Sequence, residues 1–331
     1  MHDRPLRRTL CAALVALATA LTGVLAATGP ATAAGPYTLL TQPDNGHATL
    51  YSLINSAASS IDLTMYELND TTAEQDLAAA AARGVTVRVI LDGKHTSLNS
   101  AAYSYLTGNG VGVVYSSSTY YYTHQKTMVV DGTTSVIMSE NWTPTYYSAD
   151  RNFDLIEKDS ADATAIEKVF NADYAGTSVT PSDADDLVWS PTDAQSRLLS
   201  LINGASTSLT LYALELGSTP IVNALVSAAD RGVTVEVVAE YSSSYASNYN
   251  AVTAAGGSIV TYGTSDSLYI HAKAIVADYG TSSAKVYIGS QNFSSTSLNS
   301  NRELGLIITD SSVIASVNAT LATDFANGTP W

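Results

Sequence analysis

The feature that most constrains the fold of this 331-residue chain is an internal duplication. The tripeptide Leu-Ile-Asn occurs at 53–55 and again at 201–203, and the pentapeptide Arg-Gly-Val-Thr-Val occurs at 83–87 and again at 231–235. In both cases the second copy lies 148 residues after the first. A repeat of this length has the size of a domain. We therefore expect two similar halves in one chain.

Each half alternates helix and strand patterns. In the first half, helices are predicted at 47–58, 72–82, 98–107 and 163–174, and strands at 61–66, 85–91, 111–115, 126–130, 135–138 and 153–157. The second half repeats this order. Strands that alternate with helices indicate a mixed or parallel sheet covered on both faces. The predicted fold class is α/β, built as two duplicated α/β sandwich halves.

The N-terminal segment 1–33 has the pattern of an export signal. Three arginines precede a Leu/Ala-rich run at 10–27, and Ala31-Thr32-Ala33 forms a small-residue cleavage site. This pattern predicts a secreted, extracellular protein, exported by the general or the twin-arginine route. A membrane anchor is the alternative, because the apolar run is long for a secretory signal. The remaining boundaries are predicted at 34–178 for the first half, 179–191 for a connector and 192–331 for the second half.

The charge of the chain restricts its partners. The net charge is −15, and the predicted signal segment carries three of the 15 lysines and arginines, so the rest of the chain is more acidic still. Broad electrostatic binding to nucleic acid or to anionic lipid requires Lys and Arg to neutralise phosphates. The acidity therefore disfavours nucleic acid as a partner but allows a small positive pocket. No obligate protein partner is indicated.

Two segments share one spacing of histidine, lysine and aspartate, H-x-K-x-x-x-x-D. These residues are His124, Lys126 and Asp131 in the first copy and His271, Lys273 and Asp278 in the second. Each copy is followed by a polar turn that ends in asparagine. The turns are Ser139-Glu140-Asn141 and Gly289-Ser290-Gln291-Asn292.

This arrangement resembles the phospholipase D superfamily, whose members carry two H-x-K-x4-D motifs, each followed by a G-[GS]-x-N turn. Met138 stands where the family usually has the first glycine of the turn. The matching segments run from about Asn45 to near the C-terminus. The resemblance implies two α/β halves related by pseudo-twofold symmetry, with the active site in the cleft between them.

The residue types of the motifs fit the chemistry of a phosphodiester. Because residues i and i+2 of a strand share a face, the histidine and lysine of each motif are predicted to point into one pocket. One neutral imidazole can attack phosphorus and form a phosphohistidine, while the other, protonated, gives its proton to the leaving oxygen. Which of His124 and His271 attacks stays open. The scheme requires no cofactor and no metal.

Five polar residues are predicted to bind the phosphate oxygens and to stabilise charge in the transition state. They are Lys126, Lys273, Asn141, Asn292 and Ser290.

A catalytic imidazole also needs a partner that fixes its tautomer. Asp154 and Glu303 each lie about thirty residues after the histidine of their own half. The resemblance assigns the orienting role to carboxylates at such positions, and Arg151 and Arg302 precede them in a parallel way. An ordinary ion pair at the start of a strand is the alternative. Asp131 and Asp278 are expected to be turn or architectural residues, without a chemical role.

The function that the sequence favours is that of a secreted phosphodiesterase resembling phospholipase D. It would hydrolyse a phospholipid such as phosphatidylcholine, at a membrane or micelle surface, to phosphatidate and an alcohol. With an alcohol in place of water it would exchange the head group. The alternatives are a secreted, metal-independent endonuclease of the same superfamily and, more distantly, a non-catalytic module that binds phosphate or membranes. Fold and motif do not choose among substrates.

Overall fold

The computed structural model describes residues 36–331, so the predicted export signal at 1–33 lies outside the described residues. Within 36–331, no helix combines the length and the apolar character that crossing a membrane requires.

The first half of the described chain folds around a mixed sheet. Its strands in chain order are Tyr37–Gln42 (β1), Ser60–Met65 (β2), Thr86–Leu91 (β3), Gly112–Tyr115 (β4), Thr127–Val130 (β5), Thr134–Met138 (β6) and Asp150–Glu157 (β7). Their spatial order is β1-β7-β6-β5-β2-β3-β4. The strands β2, β3 and β4 are parallel, while β5, β6, β7 and β1 join antiparallel.

The second half forms a sheet with the same topology. Its strands are Leu187–Ser190 (β8), Ser208–Ala213 (β9), Thr234–Glu240 (β10), Ser258–Tyr262 (β11), Lys273–Ala277 (β13), Lys285–Gly289 (β14), Glu303–Ile308 (β15) and Thr329–Pro330 (β16), and Tyr269–Ile270 (β12) pairs with β7 instead. The spatial order is β8-β15-β14-β13-β9-β10-β11-β16. Each strand of the first sheet has a counterpart here, which confirms the predicted α/β duplication.

Strand β8 corrects one detail of the prediction. It lies inside the segment 179–191 that was predicted as a connector, and it pairs antiparallel with β15. The run Leu187-Val188-Trp189 is buried. Its apolar side chains explain why this short segment joins the edge of the sheet, as β1 does in the first half.

Helices cover both faces of each sheet. Within the described residues they are Ala48–Ser56 (α1), Thr71–Ala82 (α2), Thr96–Gly108 (α3), Ser160–Ala175 (α4), Ala194–Gly204 (α5), Thr219–Asp230 (α6), Ala246–Ala254 (α7), Ser295–Asn299 (α8) and Ser311–Asn327 (α9), with one 3-10 turn at Ser243–Tyr245. Asp159 and Asp310 cap α4 and α9 by accepting hydrogen bonds from backbone N–H groups of the first turn. Such caps fix where a helix begins.

Helices α4 and α9 form a layer shared by the two halves. Helix α4 packs on the first sheet and α9 on the second. One hydrophobic core contains residues of both sheets and both helices, among them Phe153, Ile166, Leu306 and Val317. Two further cores lie under α1 to α3 and under α5 to α7. The halves therefore share a packed interface, and the two motif strands β5 and β13 belong to the sheets on either side of it.

The motif aspartates Asp131 and Asp278 have the architectural position expected of them. Both adopt left-handed backbone conformations, with φ of 53° and 54°. The Oδ1 atom of Asp278 accepts hydrogen bonds from the backbone N–H groups of Ser206 (2.8 Å) and Thr207 (2.7 Å), and Asp131 binds the segment 58–60 in the same way. These bonds outweigh the effect of burial and lower the pKa of Asp131 to about 2 and that of Asp278 below its usual range.

We expect Asp278→Ala to lower the free energy of unfolding by about 1–3 kcal/mol, because several partly buried backbone N–H groups lose their charged acceptor. Asp278→Asn should cost less, since asparagine tolerates the left-handed conformation and keeps one carbonyl oxygen. Because the folded-state pKa is depressed, the stabilisation is complete above the unfolded pKa of about 4 and is lost as the pH falls below it. Urea unfolding at pH 7 and pH 3 measures both effects. Equal stability of the three proteins at pH 7 would contradict this role.

Met138, which replaces the usual glycine of the first turn, requires no unusual backbone. Neither Met138 nor its counterpart Gly289 has a positive φ. A Cβ atom at Gly289 would lie 2.6 Å from the Cα of Gly305 on the neighbouring strand. In the first half Met138 is paired with Asp154 and is fully buried in the core. The glycine is thus needed for close strand packing in the second half, and the first half is packed differently.

Candidate active site

The chain segments just before the two motif histidines each pair with the opposite half. Strand β12 at 269–270 runs parallel to 150–151 of β7, and Thr123 forms a bridge with Arg302. Each motif histidine therefore lies beside the polar residues of the other half at the start of β7 or of β15. This exchange brings His124 and His271 into one cleft between the halves.

His124 is held by a carboxylate of the second half. Its Nδ1 atom lies 2.8 Å from Oε2 of Glu303. The other oxygen of Glu303 accepts hydrogen bonds from the Ser297 hydroxyl and from Nδ2 of Asn301 at 2.8 Å. Glu303 is fully buried. With Nδ1 engaged in this way, the Nε2 atom of His124 is left to react.

His271 is held by an amide of the first half. Its Nδ1 atom lies 2.8 Å from Oδ1 of Asn152. The same oxygen accepts a 2.8 Å hydrogen bond from the Ser139 hydroxyl, and that hydroxyl accepts the N–H of Phe153 at 2.9 Å. In this orientation the Asn152 oxygen accepts from both the Ser139 hydroxyl and the imidazole. His271 then donates its Nδ1–H, which leaves Nε2 directed away from Asn152.

The prediction of Asp154 as an orienting carboxylate is wrong, whereas Glu303 does contact a motif histidine, and that histidine is His124 of the opposite half. The residue equivalent to Glu303 is Asn152, because each directly follows an arginine at the start of the corresponding strand. Asp154 instead accepts a 3.1 Å hydrogen bond from Gln42 Nε2 in the core. Burial, and then the neighbouring Glu140, raise the pKa of Asp154 well above its usual value. The cross-half pairing makes position 152, two residues earlier, the one that reaches a histidine.

Arg151 and Arg302, which precede Asn152 and Glu303, each form an ion pair with the opposite half. Nε of Arg151 lies 2.7 Å from Oδ2 of Asp324 on α9, and Nε of Arg302 lies 2.8 Å from Oδ2 of Asp173 on α4. Both guanidinium groups are buried. Breaking a buried pair of this kind is strongly destabilising. These pairs hold the strand starts that carry Asn152 and Glu303.

The two motif lysines are almost fully buried beside the histidines. The ammonium groups of Lys126 and Lys273 donate to the backbone carbonyls of His124 and His271, the former at 2.7 Å. Each side chain is 1% exposed. Burial lowers the pKa of Lys126 well below its usual value and that of Lys273 to about 7. A bound phosphate anion would favour the charged form of both lysines.

Burial favours the neutral form of both imidazoles in the free protein. Burial lowers the pKa of His124 to about 4 against the opposing effect of Glu303, and the two lysines lower it further. Burial and then Lys273 lower the pKa of His271 well below its usual value. For Glu303, burial opposes ionisation, but His124 and Lys126 outweigh it and the pKa lies below its usual value. A neutral imidazole beside an ionised carboxylate is the form that a nucleophile needs.

Asn141 and Asn292 provide free amides at the ends of their turns. The Oδ1 atom of each is buried and has no hydrogen-bond partner among residues 36–331. Ser290 differs from the prediction, because its hydroxyl bonds the backbone of Leu304 at 3.3 Å and is fully buried. Ser290 therefore joins β14 to β15, as its counterpart Ser139 supports Asn152, and it does not face the cleft as a phosphate ligand.

Tyr66 and His95 are residues of the cleft that the sequence interpretation missed. The Tyr66 ring contacts His124 edge-on at 4.6 Å between centroids, and Lys126 Nζ lies 4.7 Å from its centre. Its hydroxyl lies 3.3 Å from Nε2 of His95, whose Nδ1 lies 3.1 Å from Asp92. Tyr66 and Asp92 follow the parallel strands β2 and β3, and ligand sites of α/β sheets gather at such carboxyl ends. Applied to the residues that directly follow the predicted strands, that rule could have identified Tyr66 and Asp92 from the sequence.

The aromatic residues near the motifs divide into packed and exposed groups. Trp142 and Phe293 are buried in the cores, whereas Tyr121 and Tyr146 are 51% and 55% exposed.

Within residues 36–331, no group of three His, Cys, Asp or Glu side chains is arranged to hold a metal ion. The donors gathered at the cleft are two ammonium groups, two amides and two imidazoles. This set can bind one phosphodiester, attack it and protonate a leaving oxygen.

Comparison with known families agrees with this geometry. The family described as "Cardiolipin synthase, PLD-like domain" matches residues 50–174 and 198–325, one match in each half. The chain belongs to the phospholipase D superfamily. The matched ranges contain both copies of the motif and both turn asparagines.

Individual relatives are more distant. A mitochondrial cardiolipin hydrolase of Xenopus tropicalis is 29% identical over 131 residues, which are 40% of this chain and 62% of the relative. The chain thus matches under two thirds of that protein. A polyphosphate kinase of Porphyromonas gingivalis has a TM-score of 0.71 at 16% identity, covering 86% of this chain and 46% of the kinase. A phosphatidylserine synthase of Haemophilus influenzae has a TM-score of 0.67 at 12% identity, covering 89% and 87%. These two structures show the fold alone.

Proposed function

We propose that this member of the phospholipase D superfamily hydrolyses phospholipids such as phosphatidylcholine through a phosphohistidine on His124. The observation that carries the proposal is the unequal support of the two imidazoles, a carboxylate on His124 and a neutral amide on His271. Superfamily membership supports phosphodiesterase chemistry in general. The substrate and the roles of the two histidines are the proposed part.

The unequal support favours His124 as the nucleophile for an electrostatic reason. A phosphorylated imidazole that keeps its Nδ1–H carries a positive ring for the whole lifetime of the intermediate. In a buried site such a cation is costly unless a counter-charge is in contact with it. Glu303 supplies that charge to His124 at 2.8 Å, whereas Asn152 can only accept a hydrogen bond from His271. A neutral partner suits an acid that must release its proton easily.

The reaction then proceeds in two displacements. Nε2 of His124 attacks phosphorus, and the bond between phosphorus and the alcohol oxygen breaks. His271, which takes up a second proton when the phosphate anion binds beside it, gives its Nε2–H to that oxygen. In the second step His271 takes a proton from water, the water oxygen attacks phosphorus, and the bond to His124 breaks. The products are phosphatidate and a free alcohol. Lys126, Lys273 and the two turn asparagines would hold the phosphate oxygens throughout.

Two properties support a lipid as the substrate. The chain has 15 lysines and arginines against 30 acidic residues, so it lacks the charge for a long basic groove along nucleic acid. Exposed tyrosines such as Tyr121 and Tyr146 suit an interface that is apolar on one side and wet on the other. The relative named as a cardiolipin hydrolase is likewise named for a phospholipid. An alcohol that replaces water in the second step would give head-group exchange, and export from the cell stays a prediction.

We expect purified protein to cleave phosphatidylcholine in micelles, to keep most of its activity after extended dialysis against EDTA, and to show little dependence on salt. Plasmid DNA and single-stranded DNA, assayed in parallel, should be poor substrates. The reason is that lysines and asparagines supply the charge stabilisation and that the surface is acidic. Efficient, salt-sensitive cleavage of DNA without any lipid cleavage would assign the protein to the nucleases. Loss of activity in EDTA that only a divalent ion restores would show that the site is misassigned.

A further inference from the structure

A cavity of about 570 Å³ opens at His271 and Asn141. One wall comes from the first half, with Tyr146 in the loop before β7 and Asp150 at the start of β7. The other comes from the second half, with Asp266 in the loop before β12 and Tyr269 at the start of β12. The walls are joined by the pairing of Tyr269 with Asp150 and by a 2.9 Å hydrogen bond from Tyr269 N to the Ala149 carbonyl. The cavity is therefore part of the built interface between the halves.

The cavity has acidic and aromatic walls. Among its lining residues are the carboxylates of Asp150 and Asp266, and none of them is a lysine or an arginine. Asp266 accepts one backbone N–H, that of Gly263, at 2.6 Å. Tyr146 and Tyr269 are 55% and 40% exposed. Carboxylates and tyrosine rings are the two groups that bind an organic ammonium ion.

The carboxylates on this side of the cleft are only partly compensated by positive charge. Burial raises the pKa of Asp150 to about 7, and Lys273 offsets only part of this. Burial also raises the pKa of Glu240 to about 7, and the nearby Asp266 and Asp150 add to the increase. Glu240 lies behind the wall and accepts the N–H of Ile270 at 3.0 Å. A cation in the cavity would stabilise all three ionised carboxylates, whereas an anion would be repelled by them.

The position of His271 determines which part of the substrate enters. His271 is 9% exposed, and its Nε2 faces away from Asn152. If His271 protonates the leaving oxygen, the group attached to that oxygen lies at His271 and extends into the adjoining space. The adjoining space lined by His271 is this cavity.

We propose that the cavity is the subsite for the leaving alcohol and that it selects an amino alcohol, with its ammonium group between Asp150, Asp266 and the two tyrosines. The inference rests on the proposed function and adds the class of head group to it. Choline and ethanolamine carry the ammonium two carbons from the ester oxygen, so the charge enters the cavity when phosphorus is at the histidines. Glycerol gains no charge contact, and a phosphate-bearing group such as the next nucleotide of DNA is rejected.

The test uses soluble short-chain phospholipids that share the same diacylglycerol and differ only in the head group. We expect kcat/KM for choline and for ethanolamine to exceed that for glycerol by about tenfold or more, the ratio that one favourable charge contact provides. Asp150→Asn and Asp266→Asn should each lower the choline-to-glycerol ratio by about tenfold. Asp230→Asn is the matched control, because Asp230 is an exposed aspartate at the end of α6. It should leave the ratio unchanged.

Titration calorimetry with choline chloride gives a readout without turnover. Binding to the unmodified protein, weakened at least several-fold in Asp150→Asn but not in Asp230→Asn, would support the subsite. Equal kcat/KM for choline and glycerol head groups, with no choline binding, would overturn the subsite and leave the phospholipase assignment intact. Failure to cleave any phospholipid, together with cleavage of another phosphodiester, would instead overturn the proposed function and, with it, the assignment of the cavity to a lipid head group.

Discussion

His124→Ala is expected to lower kcat/KM for phospholipid hydrolysis by about four orders of magnitude or more, because the nucleophile and its acid act as a unit. His271→Ala should lower it by about 10²–10⁴-fold, the range that general acid catalysis contributes. Under the proposed scheme, however, the two variants fail at different steps. The scheme can be tested with a substrate whose leaving group needs no proton, because the first step then no longer requires the acid.

A substrate with p-nitrophenol as its leaving group separates the two roles. This weakly basic group departs without a proton, so the first displacement no longer needs His271. We expect His271→Ala to release one equivalent of p-nitrophenol in a rapid burst and then to stall, because the second displacement lacks its base. The trapped protein should carry phosphate on a histidine, detectable after proteolysis by mass spectrometry at His124. His124→Ala should show neither the burst nor the modification.

Controls for this experiment address folding. Both histidines lie in a buried interface, so near-ultraviolet circular dichroism and the thermal midpoint should be compared with those of the unmodified protein. A burst in His124→Ala and none in His271→Ala, with both proteins folded, would reverse the assignment of the nucleophile. Near-normal hydrolysis by either variant would remove the two-histidine scheme altogether.

The sequence predicted the duplication and the α/β class because those depend on local patterns. Repeated apolar runs such as Val87–Leu91 and Val235–Ala239 form matching parallel strands in the two sheets. The short strand β8 was missed because four residues beside Pro191 give too short a periodicity to distinguish a strand from a connector. Its pairing with β15 depends on tertiary contacts.

The site residues that could be predicted from the sequence are those that recur in both halves. The identical spacing within the two motifs identified His124 and His271, and the structure places both in one cleft with their lysines. The partners of the histidines were not predictable in the same way, because they come from the opposite half. Spacing along the chain suggested Asp154, while the pairing of β12 with β7 puts Asn152 beside His271. The parallel positions of Arg151 and Arg302 were noted, but the residue directly after Arg151 is Asn152, which is not a carboxylate, and the chain gives no local sign that the halves exchange contacts.

The asymmetry between Glu303 and Asn152 leads to the second large expected effect, which concerns Glu303→Gln. This change keeps the size and one acceptor of the side chain but removes the negative charge in contact with His124. We expect kcat to fall by about 10³–10⁴-fold, the size of effect seen when an orienting carboxylate of a catalytic histidine becomes an amide. Urea unfolding should show that the protein is still folded. A loss of less than tenfold would mean that the charge on Glu303 does not support the intermediate.

Asn152→Asp is the matched opposite change, because it gives His271 the kind of partner that His124 has. A carboxylate 2.8 Å from Nδ1 would raise the pKa of His271, because an opposite charge in contact favours the protonated ring. An acid must be protonated to work, so activity falls as the pH rises through its pKa. A higher pKa therefore moves the descending limb of the profile of kcat/KM against pH to higher pH. A purely structural role of residue 152 would change the height of the profile but leave that limb in place.

The opposite assignment of the histidines predicts a different result. In that case the limb stays where it is in Asn152→Asp and moves in Glu303→Gln. His124 would then be the acid, and the carboxylate of Glu303 would serve proton transfer rather than the phosphorylated intermediate.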